Sequence, residues 1–282
     1  MWRSVFGFAA VAALPGLLSA AAVIESASGL TAADILAARD QFRIDLGGGT
    51  VAGANGSFGG QRREINWDGV PDSLAAPNNL PANFFNVNSS RGVVFSTPGT
   101  GFEVSANAGV APVRFDNINP SYSSTFQVFS AQRLFTALGS NIVDVSFFVP
   151  GTSTPATVKG FGSVFSDVDR ASTTSISYFD SSNNLLGTIF VPAQIGSQTF
   201  SFLGVSFNAG ERIGRVRITN GNAALAGNVN DQNGDNTDLV VMDDFIFSEP
   251  VGVPEPGTLI LLSLGLISVG CIARHRQYGP AR

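Results

Sequence analysis

The chain has 282 residues, of which 44% are hydrophobic and 13% are charged, so it is long and apolar enough to bury a full-sized core. Between residues 23 and 252 there are 20 acidic and 12 basic side chains, and no basic run is longer than Arg62-Arg63. This acidic balance lacks the dense positive surface by which proteins bind nucleic acid, so no nucleic acid partner is expected.

A signal peptide is predicted over residues 1–22. Arg3 is followed by an uncharged apolar run over residues 5–18, and the small residues that come next fit cleavage by signal peptidase after Ala22. The run is shorter than the roughly 20 residues that span a bilayer. Export would permit disulfides, but the single cysteine, Cys271, lies near the C-terminus, so the exported domain must be stabilised by its core.

The first predicted element of the exported domain is a helix from Ala32 to about Ile44. Thr31 is expected to cap its N-terminus, and Ile35 and Phe42 belong to an apolar stripe at helical spacing. The following segment, 47–60, contains seven glycines, which is typical of a loop.

Trp67 is the only tryptophan between residues 23 and 252, and the sequence leaves two interpretations open. Asn66 and Asp68 flank it, which suits an exposed ring that stacks on a carbohydrate. The alternative is a core position, where a lone large aromatic residue is usually found.

From Gly92 onward, short β-branched and aromatic runs recur at intervals of roughly 8 to 14 residues, separated by turn-forming residues. This pattern predicts an antiparallel β-sandwich or jelly-roll-like ectodomain over residues 23–252, with one N-terminal helix. Segments 143–149 and 215–219 alternate apolar and polar residues, so each should have one wet face.

Two details of strand pairing are also predicted. The runs 176–179 and 185–190 flank the polar segment 180–184, which indicates a hairpin with a five-residue loop. Further on, Phe200 and Phe202 differ in parity from Val205 and Phe207, which predicts a β-bulge at Gly204 that restores the register.

One acidic segment carries candidate ligands for a structural Ca²⁺, and no other cofactor is expected. Asp231, Asn233 and Asp235 place oxygen donors at alternate positions, and Asp238 follows closely, as in the first half of a calcium loop. The pattern is incomplete, because Met242 stands where an EF-hand loop has its glutamate. A polar turn between strands is therefore the alternative.

Asp243 and Asp244 are further candidates, because they interrupt the apolar run 239–247 and at least one carboxylate should face packed side chains. A buried carboxylate needs a partner, which predicts a Ca²⁺ ion, an arginine, or water at a sheet edge. Asp167 and Asp169 are weaker candidates, expected at an exposed strand end.

The C-terminal segment has three parts in sequence: a Pro-Glu-Pro motif, an apolar run over residues 257–273, and a basic cluster. The run has the length of a short transmembrane helix, and the arginines resist translocation and hold the tail in the cytoplasm. The residues of the motif and the cluster are Pro254, Glu255, Pro256, Arg274 and Arg276.

This arrangement resembles the PEP-CTERM class of exported bacterial proteins. The resemblance implies a sorting signal over residues 253–276, followed by a short tail, 277–282. It also implies recognition by exosortase, an integral membrane cysteine protease that removes the tail. The chain would then be a membrane-anchored intermediate before the ectodomain passes to the cell surface or the extracellular polymer matrix.

Residues 23–252 contain neither histidine nor cysteine, which excludes Ser-His-Asp and Cys-His catalysis and zinc held by such ligands. We therefore expect a non-enzymatic structural or interaction role with no catalytic residues. Two alternatives stay open: a carbohydrate-binding module that contacts exopolysaccharide, and a glycoside hydrolase that pairs carboxylates from Glu64, Glu103 or Glu211.

Overall fold

The computed structural model describes residues 22–49, 51–52, 60–210, 212–232 and 236–253. Among these residues there is no helix with the length and apolar character needed to cross a membrane. Several predicted features lie outside the described residues, namely most of the signal peptide, the apolar run 257–273, Asn233, Asp235, Pro254, Glu255, Pro256, Arg274 and Arg276.

Fourteen strands and three α-helices make up the regular structure of the described residues, together with one 3₁₀ turn at Asp72–Leu74. The helices are α1 (Ala33–Asp45), α2 (Phe84–Val87) and α3 (Tyr122–Thr125). The strands are β1 (Ala22–Gly29), β2 (Arg62–Ile65), β3 (Val93–Ser96), β4 (Gly101–Val104), β5 (Phe135–Leu138), β6 (Ile142–Phe147), β7 (Ala156–Thr157), β8 (Gly160–Ser166), β9 (Ser175–Phe179), β10 (Leu185–Phe190), β11 (Phe200–Phe207), β12 (Arg215–Thr219), β13 (Val241–Ser248) and β14 (Val251–Gly252).

Two antiparallel sheets share one apolar core, which confirms the predicted β-sandwich class. The larger sheet has the order β1-β11-β8-β13-β5-β4, with β2 also paired to β13. The smaller sheet has the order β10-β9-β12-β6-β3, and β14 pairs with β7 in a separate two-stranded ladder. Many neighbours are distant in sequence, so the fold depends on long-range pairing.

An aromatic cluster around Trp67 lies at the centre of the core. The indole is 1% exposed and stacks on Phe135 with ring centroids 4.1 Å apart, while Phe85 and Phe245 meet it edge-on. Its N–H donates a 2.7 Å hydrogen bond to the backbone carbonyl of Asp243. Of the two interpretations of Trp67, the core position is therefore confirmed, and the exposed carbohydrate-stacking position is wrong, because the packed rings cover the indole.

Helix α1 covers the outer face of the larger sheet, where strands β8 and β11 run side by side. The buried ring of Phe42 lies over two glycines: a Cβ added at Gly204 or Gly162 would come within 2.5 or 2.9 Å of it. Leu46 lies in the same way over Gly160, where an added Cβ would be 2.7 Å from its Cδ2 atom. These glycines allow the helix to approach the sheet backbone closely.

Strand β11 contains no bulge at Gly204, so that prediction is wrong. Its residues pair in continuous register with both β1 and β8. Phe200 and Phe202 pack under α1, whereas Val205 and Phe207 belong to the core between the sheets. The change of parity in the sequence comes from a strand that is buried on both faces.

The locally encoded elements agree with the sequence. Strands β9 and β10 form the predicted hairpin around residues 180–184, and the helix predicted from Ala32 to about Ile44 is α1. Thr31 does not cap a helix N–H as expected. Instead its own N–H and hydroxyl donate to the carboxylate of Asp34 at 2.8 and 2.9 Å, and these bonds hold the pKa of Asp34 below its usual value.

Candidate functional site

Three loops meet at one end of the sandwich: the loop after β8, the loop between β10 and β11, and the loop between β12 and β13. The N–H of Asp167 donates to the carbonyl of Thr199 at 3.1 Å, which joins the first two loops. The N–H of Asp169 donates to the carboxylate of Asp238 at 2.9 Å, which joins the first and the third. Residues that are remote in sequence therefore become neighbours here.

Carboxylates of Asp167, Asp169 and Asp231 form a cluster where these loops meet, which we call the acidic cluster. One oxygen from each residue lies within 4.8 Å of the others. Asp169 and Asp231 are partly exposed, whereas Asp167 is 1% exposed. The prediction that Asp167 occupies an exposed strand end is wrong, because the loop before β11 covers it.

Asp167 is the most deeply buried member of the acidic cluster. Its Oδ1 atom accepts a 3.0 Å hydrogen bond from the N–H of Gln198, whereas Oδ2 is buried and has no hydrogen-bond partner among the described residues. Burial raises its pKa to about 9, and the charges of Asp169, Asp231 and Asp238 add to this rise. An ionised carboxylate at this position needs compensating positive charge.

Asp231 and Asp238 come from the candidate calcium segment, and the structure gives them different positions. Asp238 is fully buried and accepts hydrogen bonds from the N–H of Asp169 and the hydroxyl of Thr173, so it supports the loop that carries Asp169. Burial raises its pKa, although both bonds and the nearby Arg170 oppose the rise. Asp231 joins the acidic cluster, which the sequence had not linked to Asp167 and Asp169.

Asp243 lies elsewhere, at an irregularity of β13 where the register against β8 shifts. The residue is fully buried, which confirms that a carboxylate of this pair faces packed side chains. Its Oδ2 accepts from the N–H of Phe129 at 2.6 Å and of Ser130 at 3.3 Å, and its Oδ1 accepts from the hydroxyl of Ser130 at 2.9 Å. For Asp243 the donors come from a neighbouring loop, so an arginine partner or water at a sheet edge is wrong for this residue, and β13 is an interior strand.

Asp244 lines a polar pocket of about 520 Å³ between α1 and the sheet, together with Glu64 and three arginines. It is 5% exposed, and its Oδ1 atom has no hydrogen-bond partner in the part of the chain that the structure describes. Burial raises the pKa of Asp244. In the same pocket Arg43 donates to both carboxylate oxygens of Glu64, at 2.9 and 2.8 Å.

Glu103, a second glutamate of the hydrolase alternative, is 3% exposed and accepts hydrogen bonds from the side-chain amide of Asn117 at 3.0 and 3.3 Å. Burial raises its pKa, and the bonds from Asn117 oppose this rise. Glu211 lies outside the described residues. The two described glutamates thus hold structural contacts.

The C-terminal end of the described ectodomain is firmly attached to the sandwich. The guanidinium of Arg63, which is fully buried, donates to both oxygens of Glu249 at 2.6 and 2.8 Å. Strand β14 follows and pairs with β7, and the N–H of Val253 then donates to the carbonyl of Pro155 at 3.1 Å. Ordered pairing therefore continues to the residue directly before Pro254.

An open groove of about 850 Å³ adjoins this end and includes Val253 in its lining. Five hydroxyl side chains and the amide of Asn183 line the groove beside apolar residues, which include the half-buried Phe148. Arg215 lines it as well, and its guanidinium lies 3.9 Å from the ring centroid of Phe179. The groove thus combines hydrogen-bonding groups with an aromatic face.

Comparison with known proteins identifies the C-terminal segment. The family model described as the PEP-CTERM protein-sorting motif matches residues 252–277, so the chain carries this motif, as its sequence pattern had indicated. The motif supports an exported protein that is anchored in the membrane before exosortase processes it.

No curated protein matches the chain in sequence. Among solved structures, the chain is similar to the enzymatically active domain of tailspike protein 4 of bacteriophage CBA120, at 10% identity and a TM-score of 0.24. The match covers 60% of this chain and 20% of the tailspike chain, so this chain spans about a fifth of that protein's length. A similarity this low supports no shared activity.

Proposed function

We propose that this protein is a non-enzymatic structural or interaction protein of the cell surface or extracellular polymer matrix, released there after exosortase removes its C-terminal segment. The observation that carries the proposal is the sorting motif at residues 252–277, which begins at the last strand of a folded β-sandwich. A domain of this kind has a complete core of its own, so it keeps its structure once the C-terminal segment is cut away.

The attachment of the C-terminus indicates what processing achieves. Only residues 254–256 separate Val253 from the apolar run that starts at Gly257. Because Val253 is hydrogen-bonded to the sandwich, the membrane-anchored form has almost no spacer and must hold the ectodomain against the membrane surface. Cleavage then frees the ectodomain to reach partners away from the membrane.

The contacts of the carboxylates favour a non-enzymatic role. A glycoside hydrolase needs one carboxyl group that gives a proton and a second that acts as base or nucleophile, both facing a substrate cleft. Glu64 is held by Arg43, and Glu103 is buried against Asn117. Asp243 accepts hydrogen bonds from Phe129 and Ser130. Asp244 shares a pocket with Glu64, but Arg43 already donates to both oxygens of Glu64 there.

The groove beside Val253 favours exopolysaccharide as the partner of the released ectodomain. Sugars are bound by hydrogen bonds to their hydroxyl groups and by an aromatic ring against their apolar face. The groove offers both kinds of contact, and it lies at the end of the domain that processing uncovers. Its lining includes Ser146, Phe148, Thr154, Ser182, Asn183 and Arg215.

The sorting part of the proposal is tested with Glu255→Ala in a bacterium that contains exosortase, with Tyr278→Ala in the terminal tail as a matched control. Wild type and Tyr278→Ala should appear outside the cell membrane as shortened chains, whereas Glu255→Ala should stay full length in the membrane fraction. Equal processing of all three chains would show that processing does not require the Pro-Glu-Pro motif.

The role of the released domain needs a separate assay. The purified protein is mixed with exopolysaccharide of its host, and both co-sedimentation and new reducing ends are measured. Co-sedimentation that weakens in Phe148→Ala, with no new reducing ends, is the expected result. Reducing ends that accumulate with time would show a hydrolase and contradict the non-enzymatic role, and no co-sedimentation would remove exopolysaccharide as the partner.

A further inference from the structure

We propose that Asp167, Asp169 and Asp231 form a Ca²⁺ site that ties together the loops at one end of the sandwich. The proposal goes beyond the sorting and matrix role and does not depend on it. It also differs from the calcium loop suggested by the sequence, because two of the three residues come from the loop after β8.

The spacing of the acidic cluster fits one ion. Calcium binds oxygen ligands at about 2.3–2.6 Å, so two ligand atoms on opposite sides of the ion are roughly 5 Å apart. The three carboxylate oxygens lie within 4.8 Å of one another, so a single Ca²⁺ can contact all of them. The partly exposed Asp169 and Asp231 leave one side of the cluster open to water, which completes the shell of six to eight oxygens that is usual for calcium.

A second observation, independent of the clustering, is the orphaned oxygen of Asp167. Asp167 is only 1% exposed, and its Oδ1 atom already accepts a hydrogen bond from the N–H of Gln198. This bond fixes the carboxylate so that Oδ2 has a set direction, yet Oδ2 has no hydrogen-bond donor among the described residues. Burial of such an atom without a partner is strongly unfavourable, and a cation supplies the missing interaction.

The backbone at Asp167 shows that the position is built for this orientation. Its φ angle is +76°, in the left-handed region that most residues other than glycine avoid and that Asp and Asn tolerate best. The loop before β11 is held to the loop after β8, since the N–H of Gly196 donates to Asp169 at 3.0 Å. Within the loop between β12 and β13, the N–H of Leu239 donates to Asp231 at 2.5 Å. Each carboxylate of the cluster is thus fixed by a backbone N–H, and for Asp167 and Asp169 this N–H comes from the loop before β11.

The ligand chemistry selects calcium among common metal ions. All three donors are carboxylates, and zinc sites are usually built from histidine and cysteine. Magnesium keeps most of its water and is held by one or two carboxylates, whereas calcium accepts several in irregular geometry. The chain is exported, and extracellular modules bind Ca²⁺ with dissociation constants of about 10⁻⁴–10⁻³ M.

Arg170 is the alternative source of positive charge, because it lies close enough to lower the pKa of Asp238 beside the cluster. If the arginine neutralised the acidic cluster, wild type would show no calcium response, and removal of the arginine would destabilise the protein. If calcium does so, Arg170→Gln should keep its calcium response, since one competing cation has been removed.

The test uses the full chain in detergent, stripped of metal with EGTA and titrated with CaCl₂ or MgCl₂ in a calorimeter. One Ca²⁺ per chain should bind, with a dissociation constant of about 1 mM or tighter, and Mg²⁺ should bind at least tenfold more weakly. Asp167→Asn and Asp231→Asn should each weaken Ca²⁺ binding at least tenfold. Asp40→Asn on helix α1 makes the same change of charge at an exposed ion pair and should bind like wild type.

Thermal melting separates a lost ligand from a damaged fold. Without metal, Asp167→Asn should melt at a higher temperature than wild type, because the amide removes the cost of burying a carboxyl group and keeps the acceptor for Gln198. With calcium, the melting temperature of wild type should rise above that of Asp167→Asn, and the melting temperature of the variant should not change. No heat and no shift of the melting temperature in wild type would overturn the proposal, as would unchanged calcium binding in both Asp167→Asn and the partly exposed Asp231→Asn.

Discussion

Replacing Gly204 by alanine tests how closely helix α1 packs on the larger sheet. The added Cβ would lie 2.5 Å from Cγ of Phe42 and 2.7 and 2.8 Å from its two Cδ atoms. Ordinary carbon contacts are about 3.5–4.0 Å, so the ring or the strand must move by roughly 1 Å. Phe42 is fully buried and its far edge lies over Gly162, so it has little room to tilt. Overpacking of this kind lowers the free energy of unfolding by about 1–3 kcal/mol.

The assay is urea unfolding of the full chain in detergent, followed by circular dichroism. Gly187→Ala is the matched control, because an added Cβ there meets no heavy atom within 4 Å. Its free energy of unfolding should stay within about 0.5 kcal/mol of wild type. A Phe42→Leu substitution should recover part of the loss in the Gly204→Ala chain, since a smaller side chain relieves the overlap. Equal stability of the two alanine variants would refute the described packing of the helix.

Three further predictions concern the core, pH and processing. Trp67→Phe removes the donor to the carbonyl of Asp243, so unfolding should require about 1–3 kcal/mol less, and an unchanged value would place Trp67 outside the core. Burial raises the pKa of Glu103, so wild type loses stability as the pH rises through that raised pKa. The difference in melting temperature, Glu103→Gln minus wild type, should therefore increase from about pH 4 to pH 8. A difference that stays constant with pH would contradict this. A five-residue Gly-Ser spacer inserted between Val253 and Pro254 should speed the appearance of shortened chains in a pulse-chase experiment. The reason is that ordered pairing with the sandwich continues to Val253 and leaves little room at the membrane. Slower processing would contradict this and would show that β14 aids recognition by exosortase.

The features that the sequence predicts correctly are local. The hairpin of β9 and β10 has alternating runs around a polar turn, and α1 has an apolar stripe at helical spacing. The sorting motif is also local, since it consists of one contiguous segment, and the family model matches residues 252–277, one residue beyond the predicted segment at each end. In these cases neighbouring residues contain all the information that the interpretation needs.

The errors arise where distant segments determine the environment. The parity of β11 suggested a bulge only because the sequence does not show that α1 covers its second face. Trp67 has polar neighbours in sequence, but its ring lies among Phe135, Phe85 and Phe245. The pattern of apolar and polar residues in the sequence shows which residues are neighbours along the chain, but it does not show which residues pack together across the core.

The acidic cluster shows the same limit for the candidate site. Asp231 was found as part of a calcium-like spacing, and Asp167 and Asp169 were noted separately at a strand end. Only the order of strands brings the loops that carry them to one end of the sandwich. Paired acidic residues directly after a strand, together with a second acidic loop, are the sequence features that suggest such a site in advance.

The most direct test of the sorting account is the intact mass of the wild-type protein recovered from outside its own cells. The recovered chain should lack residues 1–22 and the apolar run 257–273, and it should contain the β-sandwich from residue 23 through β14. Recovery of the 29.3 kDa full-length chain from the cytosol, with both ends uncut and no membrane association, would contradict it.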